Sequence, residues 1–566
     1  MIIGSPKRLA GILITAALLT TTSLLASCNN GNNTQQQPQV ELPPAPTLNL
    51  AYKPIKVLSF NWTDVEGETS YKLLEDPYSL DLFVEIADLP ADTQSYDVEV
   101  LLPLRTNARY KLEACNEAGC SSSDMVTVDS NQLKETFGYF KSSAPATGDQ
   151  FGYSVALSAD GRVMAVGSPY ADTSKTDAGI VYVFADDGAG GWSQEWALVA
   201  STIVANAHFG YSVSLSGDGE ILAVGIPGMG GDMGAVALYS RDGGKWNKIG
   251  FANVSNPEAG DLFGAAVALS ADGNTLAVGA YGEDSDGSSQ SDNSATNSGA
   301  VYVFVNDGSG IWTQQAYLKA SDTTINSSDS FGDNFGRALD ISADGNTLVV
   351  GAMYEDSNAV NVNGDESDNS ARNSGAAYVF VRDDAGNWNQ LAYLKASNTD
   401  EGDWFGSAVA ISADGKVVAV GAFGEDSDGS SQSDNSTQRS GAVYVFSRES
   451  TGFSYSRYIK ASTPAATNDF GRALALSADG RIMAVGAPFK GHSGAAYVFT
   501  YATLTGWEEK AVLDNADNAD FSDLFGAAVA LADSGKTLAV GAPGEDGNGT
   551  DPADDSVANS GAIFIY

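Results

Sequence analysis

Four stretches of the chain are dense in carboxylates and could bind a metal ion. Their acidic residues are Glu283, Asp284, Asp286 and Asp292 in the first, Glu355 and Asp356 in the second, Glu425, Asp426, Asp428 and Asp434 in the third, and Glu545 and Asp546 in the fourth. Carboxylates that alternate with Asn around a Gly bend are the hard oxygen ligands that Ca²⁺ prefers. The spacing differs from that of an EF-hand loop. Side chains of this kind also cap the backbone of their own loop, so the sequence leaves calcium sites and solvated acidic insertions as alternatives.

Residues suited to catalysis are scarce. The chain has only two histidines, His208 and His492, and both are isolated, so we expect structural roles for them. The motifs His-Glu-x-x-His and Gly-x-Ser-x-Gly and a phosphate-binding loop are missing from the sequence. Paired carboxylates are plentiful, but acids in Ser/Asn-rich loops are poorly positioned for proton transfer. We therefore predict no catalytic residue and no enzyme activity, and a carbohydrate-active enzyme (a polysaccharide lyase or hydrolase) is the alternative.

The acidic stretches belong to a unit that is repeated seven times. The units begin at a Phe-Gly pair, at Phe151, Phe209, Phe263, Phe335, Phe405, Phe470 and Phe525. Each continues with an apolar alternating run, an Asp-Gly turn, a second apolar run, a loop, and a phrase close to Gly-Ala-Val-Tyr-Val-Phe. Asp-Gly favours a tight hairpin, because Gly adopts positive φ freely. The pattern predicts four antiparallel strands per unit, which we call A to D, with the acidic loops between B and C.

The two ends of the repeat region are predicted to meet. Unit 7 reaches the end of its strand C at Tyr566 and has no strand D after it. The segment Gly138–Ser142, directly before unit 1, matches the strand D phrase of the other units. A closed ring removes the open sheet edges that invite aggregation, so this segment is expected to complete unit 7.

The motifs resemble those of a known family. The Phe-Gly openings and the closings Gly486-Ala487-Pro488 and Gly541-Ala542-Pro543 resemble the FG-GAP repeats of integrin α-chain propellers, and more closely those of exported bacterial FG-GAP proteins. The resemblance implies an all-β fold with a seven-bladed β-propeller over residues 135–566, used for binding or adhesion. Integrins carry their calcium loop between strands A and B, where this chain has only a short turn, so no calcium site is carried over to those positions.

One face of such a propeller would collect the acidic residues. In a four-stranded meander the B–C and D–A connections emerge on the same side. A second set of acids precedes strand A and is expected to cap the turn into that strand; it comprises Asp149, Asp261, Asp333, Asp403, Asp469 and Asp523. We predict that this face binds a protein or glycan partner.

The N-terminal residues 1–27 read as a signal segment. Lys7 and Arg8 precede an apolar run that ends in Leu25-Ala26-Ser27-Cys28, which resembles a bacterial lipobox. The resemblance implies cleavage before Cys28, lipidation of its side chain and attachment to the membrane. An ordinary cleaved signal and an uncleaved anchor helix are the alternatives. Residues 28–46 are rich in Asn, Gln and Pro and are predicted to form a disordered tether.

Residues 47–130 show short strands with alternating polarity, which indicates a small β-sandwich. The placement of Trp62, Tyr71 and Tyr110 resembles a fibronectin type III domain, in which Trp62 would be the core tryptophan and Tyr110 the corner tyrosine. Cys115 and Cys120 lie on either side of a turn, and an exported chain meets oxidising surroundings, so we expect a disulfide between them.

Charge narrows the range of partners. The formal net charge is −41, which argues against nucleic acid and against electrostatic docking on anionic lipid. We expect a lipid-anchored protein of the bacterial cell envelope, at the outer membrane or cell surface or facing the periplasm, that binds a protein or glycan and takes calcium or no cofactor. A structural envelope scaffold is a further alternative.

Overall fold

The computed structural model describes residues 40–53, 55–134, 136–187, 191–308, 310–323, 332–514, 522–549, 551 and 554–566. The predicted signal segment, Cys28 and most of the predicted tether lie outside these residues. The described secondary structure is almost entirely β. None of the described helices is long and apolar enough to cross a membrane.

Two sheets form the N-terminal part. The first contains β1 (Leu48–Lys53), β2 (Val57–Trp62) and β5 (Ser95–Glu99). The second contains β3 (Ser70–Asp76), β4 (Val84–Pro90), β6 (Arg109–Asn116), β7 (Gly119–Ser122) and β8 (Val126–Thr127). A 3₁₀ turn (Leu102–Leu104) precedes β6, and helix α1 (Ser130–Lys134) leads to β9 (Gly138–Phe140).

The inner faces of these two sheets pack into one apolar core. Phe60 of β2 and Tyr110 of β6 have ring centroids 4.6 Å apart, and Trp62 lies 5.6 Å from Tyr71. The four side chains are almost fully buried. Cys115 and Cys120 face each other across the β6–β7 hairpin and are joined by a disulfide.

The repeat units form four-stranded antiparallel sheets, each ordered A-B-C-D. Unit 1 contains β10 (Ser154–Leu157), β11 (Val163–Ser168), β12 (Ile180–Asp186) and β13 (Trp192–Leu198). Unit 2 contains β14 (Val213–Leu215), β15 (Ile221–Gly225), β16 (Val236–Asp242) and β17 (Lys245–Ala252), with helix α2 (Met229–Asp232) between β15 and β16. Unit 3 contains β18 (Ala266–Leu269), β19 (Thr275–Ala280), β20 (Ala300–Asn306) and β21 (Trp312–Leu318).

Units 4 to 7 follow the same plan. Unit 4 contains β22 (Ala338–Ile341), β23 (Thr347–Ala352), β24 (Ala376–Arg382) and β25 (Trp388–Leu394), and unit 5 contains β26 (Phe405–Ile411), β27 (Val417–Ala422), β28 (Ala442–Glu449) and β29 (Gly452–Ile459). Unit 6 contains β30 (Ala473–Leu476), β31 (Ile482–Ala487), β32 (Ala495–Ala502) and β33 (Gly506–Leu513). Unit 7 contains β34 (Ala528–Leu531), β35 (Leu538–Ala542) and β36 (Ala562–Ile565), with β9 as its fourth strand.

The A–B turns have a common local design. In unit 1 the buried Ser158 hydroxyl donates to the Asp160 carboxylate (2.6 Å) and accepts the N–H of Val163 (2.9 Å). The following glycine takes positive φ, +68° at Gly415 in unit 5, and a Cβ there would lie 2.8 Å from the hydroxyl oxygen of Thr347 in the neighbouring unit. Glycine is therefore required both by the turn and by the packing of adjacent units.

The first strands of the units contact one another in a closed circle, from β10 through β14, β18, β22, β26 and β30 to β34 and back to β10. A ring of backbone hydrogen bonds joins consecutive A–B turns: the N–H of Ala159 donates to Gly217, and the series continues through Ala271, Ala343, Ala413, Ala478 and Asp533, whose N–H donates back to Ala159. The repeats thus form a β-propeller.

The propeller is closed by the N-terminal segment, as the sequence predicts. Strand β9 pairs antiparallel with β36, with Tyr139 opposite Phe564. Phe137, just before β9, stacks on Tyr566 with ring centroids 5.9 Å apart. The sheet of unit 7 is therefore built from residues more than 400 positions apart in the chain.

The N-terminal sandwich also packs against the propeller. The buried Lys56 ammonium pairs with Glu99 in its own sheet and donates to the hydroxyl of Thr537 (2.7 Å) in the A–B turn of unit 7. The Leu102–Leu104 turn contacts β33, the outer strand of unit 6. These apolar and polar contacts make one continuous core with units 6 and 7.

Candidate functional site

The acidic B–C loops emerge on the side of the propeller where the A strands begin. The N–H of Gly282, at the start of the unit 3 loop, donates to the carbonyl of Asp261, which precedes strand A (3.2 Å). Gly424 and Asp403 make the same contact in unit 5 (3.1 Å). The two acidic sets therefore lie on one face, which we call the loop face.

Four glutamates of these loops do not point outward as metal ligands would. Glu283 is buried and accepts hydrogen bonds from Tyr317 (2.7 Å) and from the ammonium of Lys319 (2.7 Å). Lys319 also donates to the hydroxyl of Ser298 (2.7 Å), which ties strand D to the B–C loop. The same network forms around Glu355 with Lys395, Glu425 with Lys460, and Glu545 with Lys141. The glutamates named as candidate calcium ligands are thus counter-ions of buried lysines.

Unit 6 contains the same ion pair with its charges exchanged. Lys490 occupies the position of the loop glutamate and Asp514 the position of the strand D lysine, with Nζ and Oδ2 3.8 Å apart. Units 1 and 2 have uncharged residues at these positions, Ala171 with Val199 and Met229 with Asn253. The requirement at this place in the fold is therefore charge balance between the loop and strand D, and not a particular acid.

The loop aspartates mainly bind their own backbone. Asp284 accepts the N–H of Asn297 (2.7 Å), Asp286 that of Ser288 (2.8 Å), and Asp292 that of Asp286 (3.1 Å). Equivalent bonds hold the other acidic loops through Asp426, Asp428, Asp434, Asp356 and Asp546. Among the described residues, three metal-ligating atoms converge only at Asp64, Glu68 and Asp92 and at Glu113, Cys115 and Cys120. Neither group belongs to the loop face.

The acids that precede strand A are buried. Asp261 accepts the N–H of Glu258 (3.1 Å) and Asp403 that of Asp400 (3.0 Å), so each closes the turn that enters its strand. Burial raises the pKa of Asp261 to about 7 and that of Asp403 to about 8, and the nearby carboxylates of Glu283 and Glu425 add to these shifts. Burial likewise raises the pKa of Asp149 to about 6.

A central channel runs between the A strands. Cavities of about 320 Å³ and about 270 Å³ lie toward the A–B turns and toward the loop face, respectively. Asp340 lines the first cavity, and its carboxylate accepts the N–H groups of Ile341 and Ile411 (2.9 Å each), which bridges units 4 and 5. The carboxylate is therefore engaged in holding neighbouring A strands together.

At the loop face, tyrosines surround one side of the channel mouth. The ring of Tyr153 lies 5.1 Å from that of Tyr211 and 5.7 Å from that of Tyr170, and Tyr170 lies 5.0 Å from the ring of His208. Burial raises the pKa of Tyr153 and lowers that of His208. Nearby, the guanidinium of Arg337 lies 5.0 Å from the ring centroid of Tyr281.

On the other side of the mouth, aromatic rings alternate with guanidinium groups. Arg439 lies 5.5 Å from the ring of Trp404 and 5.8 Å from that of Phe423, while Arg472 lies 4.8 Å from Phe423 and 5.7 Å from Phe489. We call these five residues the arginine ladder. Both guanidinium groups reach the buried carboxylate of Asp469, at 2.6 and 3.2 Å. The arginine ladder therefore presents positively charged groups and an exposed aromatic ring side by side at the protein surface.

Sequence reasoning missed these residues because it followed what the units share. The position after Phe-Gly carries Tyr153, Tyr211, Ala265, Arg337, Ser407, Arg472 and Ala527 in units 1 to 7. This residue varies although the Phe-Gly pair before it is the same in all seven units, and that contrast in the sequence could have pointed to the site. The repeated tyrosines of strand C, such as Tyr302 and Tyr378, are fully buried blade core instead.

The FG-GAP repeat family matches six segments: 141–184, 192–239, 253–304, 312–380, 388–446 and 457–499. Together they cover more than half of the chain. This chain belongs to the FG-GAP repeat family. No curated protein shows significant similarity to it.

Several solved structures are similar to this FG-GAP protein at low identity. The periplasmic gluconolactonase PpgL of Pseudomonas aeruginosa is 16% identical over 79% of this chain and 95% of its own, with a TM-score of 0.41. A putative 6-phosphogluconolactonase of Bacteroides fragilis is 12% identical over 79% and 95%, with a TM-score of 0.40. The Dos1 propeller is 13% identical over 76% and 94%, with a TM-score of 0.38. At these values the likenesses say nothing about ligand or activity.

Proposed function

We propose that this FG-GAP protein is a lipid-anchored binding protein of the bacterial cell envelope, and that its propeller binds a protein or glycan partner at the channel mouth of the loop face. The observation that carries the proposal is the cluster of Tyr, Trp, Phe and Arg around the mouth. These residues differ from unit to unit, so the repeat itself does not require them. Tyr, Trp and Arg are the side chains that dominate binding energy at interfaces.

The surroundings of the mouth support a binding role. The acidic loops of units 3, 4, 5 and 7 lie on the same face of the propeller as the mouth, and we expect them to form its polar rim. Their backbone is held by internal hydrogen bonds such as those of Asp284 and Asp426, so the rim is organised before a partner arrives. A preorganised site loses less conformational entropy on binding.

We propose a seven-bladed propeller, since seven Phe-Gly units and the closed ring of A–B turns agree on that number. The N-terminal sandwich would be a fibronectin type III-like domain, with the buried Trp62 and Tyr110 in the positions expected for that family. Cys28 would carry the lipid, and the tether would separate the folded part from the membrane. Cys28→Ser is expected to release the protein from the membrane fraction; a variant that stays in that fraction contradicts the lipobox.

We propose binding without catalysis. In support, the glutamates of the loop face neutralise buried lysines, and its aspartates hold turns or loop backbone. Such carboxylates are not available as a general acid and base. The alternative of a polysaccharide lyase or hydrolase predicts that polysaccharides are shortened on incubation with the purified protein, which size-exclusion chromatography of the products would detect.

The binding site can be tested by comparing two faces of the propeller. Trp404→Ala with Tyr211→Ala alters the mouth, and Leu504→Ala alters an exposed residue of a C–D hairpin on the opposite face. Each protein is tested on a glycan array and by cross-linking on intact cells. We expect the mouth variant to lose the partner of the wild type and the hairpin variant to keep it. Equal partner capture by both variants would contradict a binding site at the mouth.

A further inference from the structure

We propose that the arginine ladder is a subsite for a sugar ring that carries a single carboxylate, such as a uronic acid within an otherwise neutral glycan. This inference rests on the proposed binding role of the channel mouth and names the chemistry of the ligand.

The ladder is a local excess of positive charge on a strongly acidic protein. Arg439 and Arg472 share one carboxylate, that of Asp469, which is fully buried beneath them. Their own side chains are 37% and 42% exposed. The Nε–H of Arg439 has no acceptor among the described residues, and neither does Oδ1 of Asp469 have a donor. Both of these unpartnered atoms are buried, so the ladder offers a ligand one net positive charge through the exposed parts of its two guanidinium groups.

The stacking leaves the guanidinium groups ready for an oxygen ligand. Trp404, Phe423 and Phe489 lie close to the two guanidinium groups and limit their rotation. A guanidinium stacked on a ring still presents N–H groups in its own plane, and this planar fork matches the two oxygens of a carboxylate. Less conformational entropy is then lost when the hydrogen bonds form.

The exposed ring beside the guanidinium groups favours a sugar over a free inorganic anion. Phe489 is 42% exposed and lies next to Arg472. The apolar C–H face of a pyranose can pack on such a ring and remove apolar surface from water, while a carboxylate on the same sugar reaches the neighbouring guanidinium. A small anion would use only the second contact.

The position of the ladder sets the charge of the whole ligand. Acidic B–C loops flank it in unit 5 and unit 7, whereas the B–C connection of unit 6 is short and carries Lys490 and His492. A long polyanion would cross the acidic loops within a Debye length of about 8–10 Å and be repelled. A mostly neutral chain with one acidic sugar enters over unit 6 without that repulsion.

The test uses the mature full-length protein and a panel of neutral-backbone oligosaccharides that each bear one glucuronate, galacturonate or mannuronate, together with the carboxyl-reduced form of each. Isothermal titration calorimetry measures both members of a pair. We expect at least one acidic member to bind about 10- to 100-fold more tightly than its reduced form, the range for a charge-assisted hydrogen bond. Added salt should narrow that ratio.

Two variants locate the effect. Arg472→Gln is expected to weaken binding of the acidic member to the level of the reduced member and to leave the reduced member unchanged. Arg382→Gln is the matched control, because Arg382 also lies over a ring, at 5.6 Å from Trp388, but away from the mouth. It should leave both affinities unchanged.

The outcomes separate this inference from the proposed function. If every reduced oligosaccharide binds as tightly as its acidic partner, or if none of the panel binds while the mouth variant still loses the cellular partner, the acidic-sugar subsite is wrong and the binding role stands. If the mouth variant keeps the cellular partner and no oligosaccharide binds, both are wrong. An acidic preference that survives Arg472→Gln also overturns the assignment to the ladder.

Discussion

Replacement of Lys141 by Met should weaken the closure of the propeller. Lys141 lies just after β9, and its ammonium pairs with Glu545 and donates to the hydroxyl of Ser560 (2.7 Å). The side chains of Lys141 and Glu545 are 4% and 0% exposed, so solvent screens the pair very little. Lys141→Met would leave the carboxylate of Glu545 buried beside the hydroxyl of Tyr139 alone.

The expected size of the effect follows from burial. Removing one partner of a buried ion pair costs about 3–5 kcal/mol. The propeller spans about 430 residues, and an unfolding entropy of about 2.1 cal/mol/K per residue gives about 0.9 kcal/mol/K for it. The melting temperature should therefore fall by about 3–6 °C. Calorimetry at neutral pH measures the shift.

A matched variant separates the ion pair from the closure. Lys460→Met breaks the equivalent pair with Glu425 in unit 5, where the strands follow one another directly in the chain. Both variants should melt at similarly lowered temperatures, but only Lys141→Met should speed amide hydrogen exchange at Ile563 and Ile565, which pair with β9. The double variant Lys141→Met/Glu545→Met should regain most of the lost stability, because an apolar pair has no charge to bury.

A melting temperature of Lys141→Met within about 1 °C of the wild type would mean that Glu545 does not depend on Lys141, because the expected shift is several times larger. Faster exchange at Ile563 in the Lys460→Met protein as well would mean that closure is not a local property of β9.

Three further predictions concern the buried and surface acids. The pKa of Asp403 is raised to about 8, so its contribution to the free energy of unfolding is fully present below about pH 4 and is lost as pH rises through about 8. The free energy of unfolding should therefore fall between pH 5.5 and pH 8.5, and Asp403→Asn should make this pH dependence less steep in urea titrations. An unchanged slope would contradict the raised pKa. Calcium binding by the loop aspartates is one of the two alternatives that the sequence leaves open. If they bind calcium, a concentration of 100 times the dissociation constant should add about 2.7 kcal/mol, or about 3 °C, beyond the effect of NaCl at equal ionic strength, and Asp426→Asn/Asp428→Asn should reduce the gain; indifference to both calcium and EDTA counts against the sites. Copying the reversed pair of unit 6 into unit 5, as Glu425→Lys/Lys460→Asp, should give a protein that melts above either single variant, and a double variant no better than the singles would show that polarity matters there beyond charge balance.

Much of the propeller fold could be predicted because each unit repeats the same local sequence pattern. The alternation of apolar residues, the Asp414-Gly415 type of turn and the Phe-Gly opening all depend on contacts within a unit or with the adjacent one. Even the closure was visible, since the segment at Gly138 carries the phrase of a missing strand. These features are local in physical terms, so a single sequence contains them.

The polar networks and the mouth could not be predicted in the same way. Glu283 and Lys319 lie 36 residues apart, and only the fold brings their charges together. Read alone, Glu283 belongs to an acidic loop, and its sequence context does not reveal that it pairs with Lys319. The arginine ladder is assembled from a D–A connection, two B–C loops and the start of a strand A, in two adjacent units. Comparison of the units, Lys490 with Asp514 against Glu283 with Lys319, would have revealed the pairing.

The closure by β9 also affects how the protein is made. Lys141 leaves the ribosome 404 residues before Glu545, which at about 5–20 residues per second is roughly 20–80 s. During that time β9 has no partner, and the A strands of units 1 and 7 cannot meet. A chain broken off anywhere before Ala562 keeps an exposed sheet edge at both ends of the propeller, which makes it a target for proteases and chaperones. The architecture therefore makes the folded ring depend on both ends of the repeat region: only a chain that contains both β9 and β36 can pair the sheet edges of unit 7.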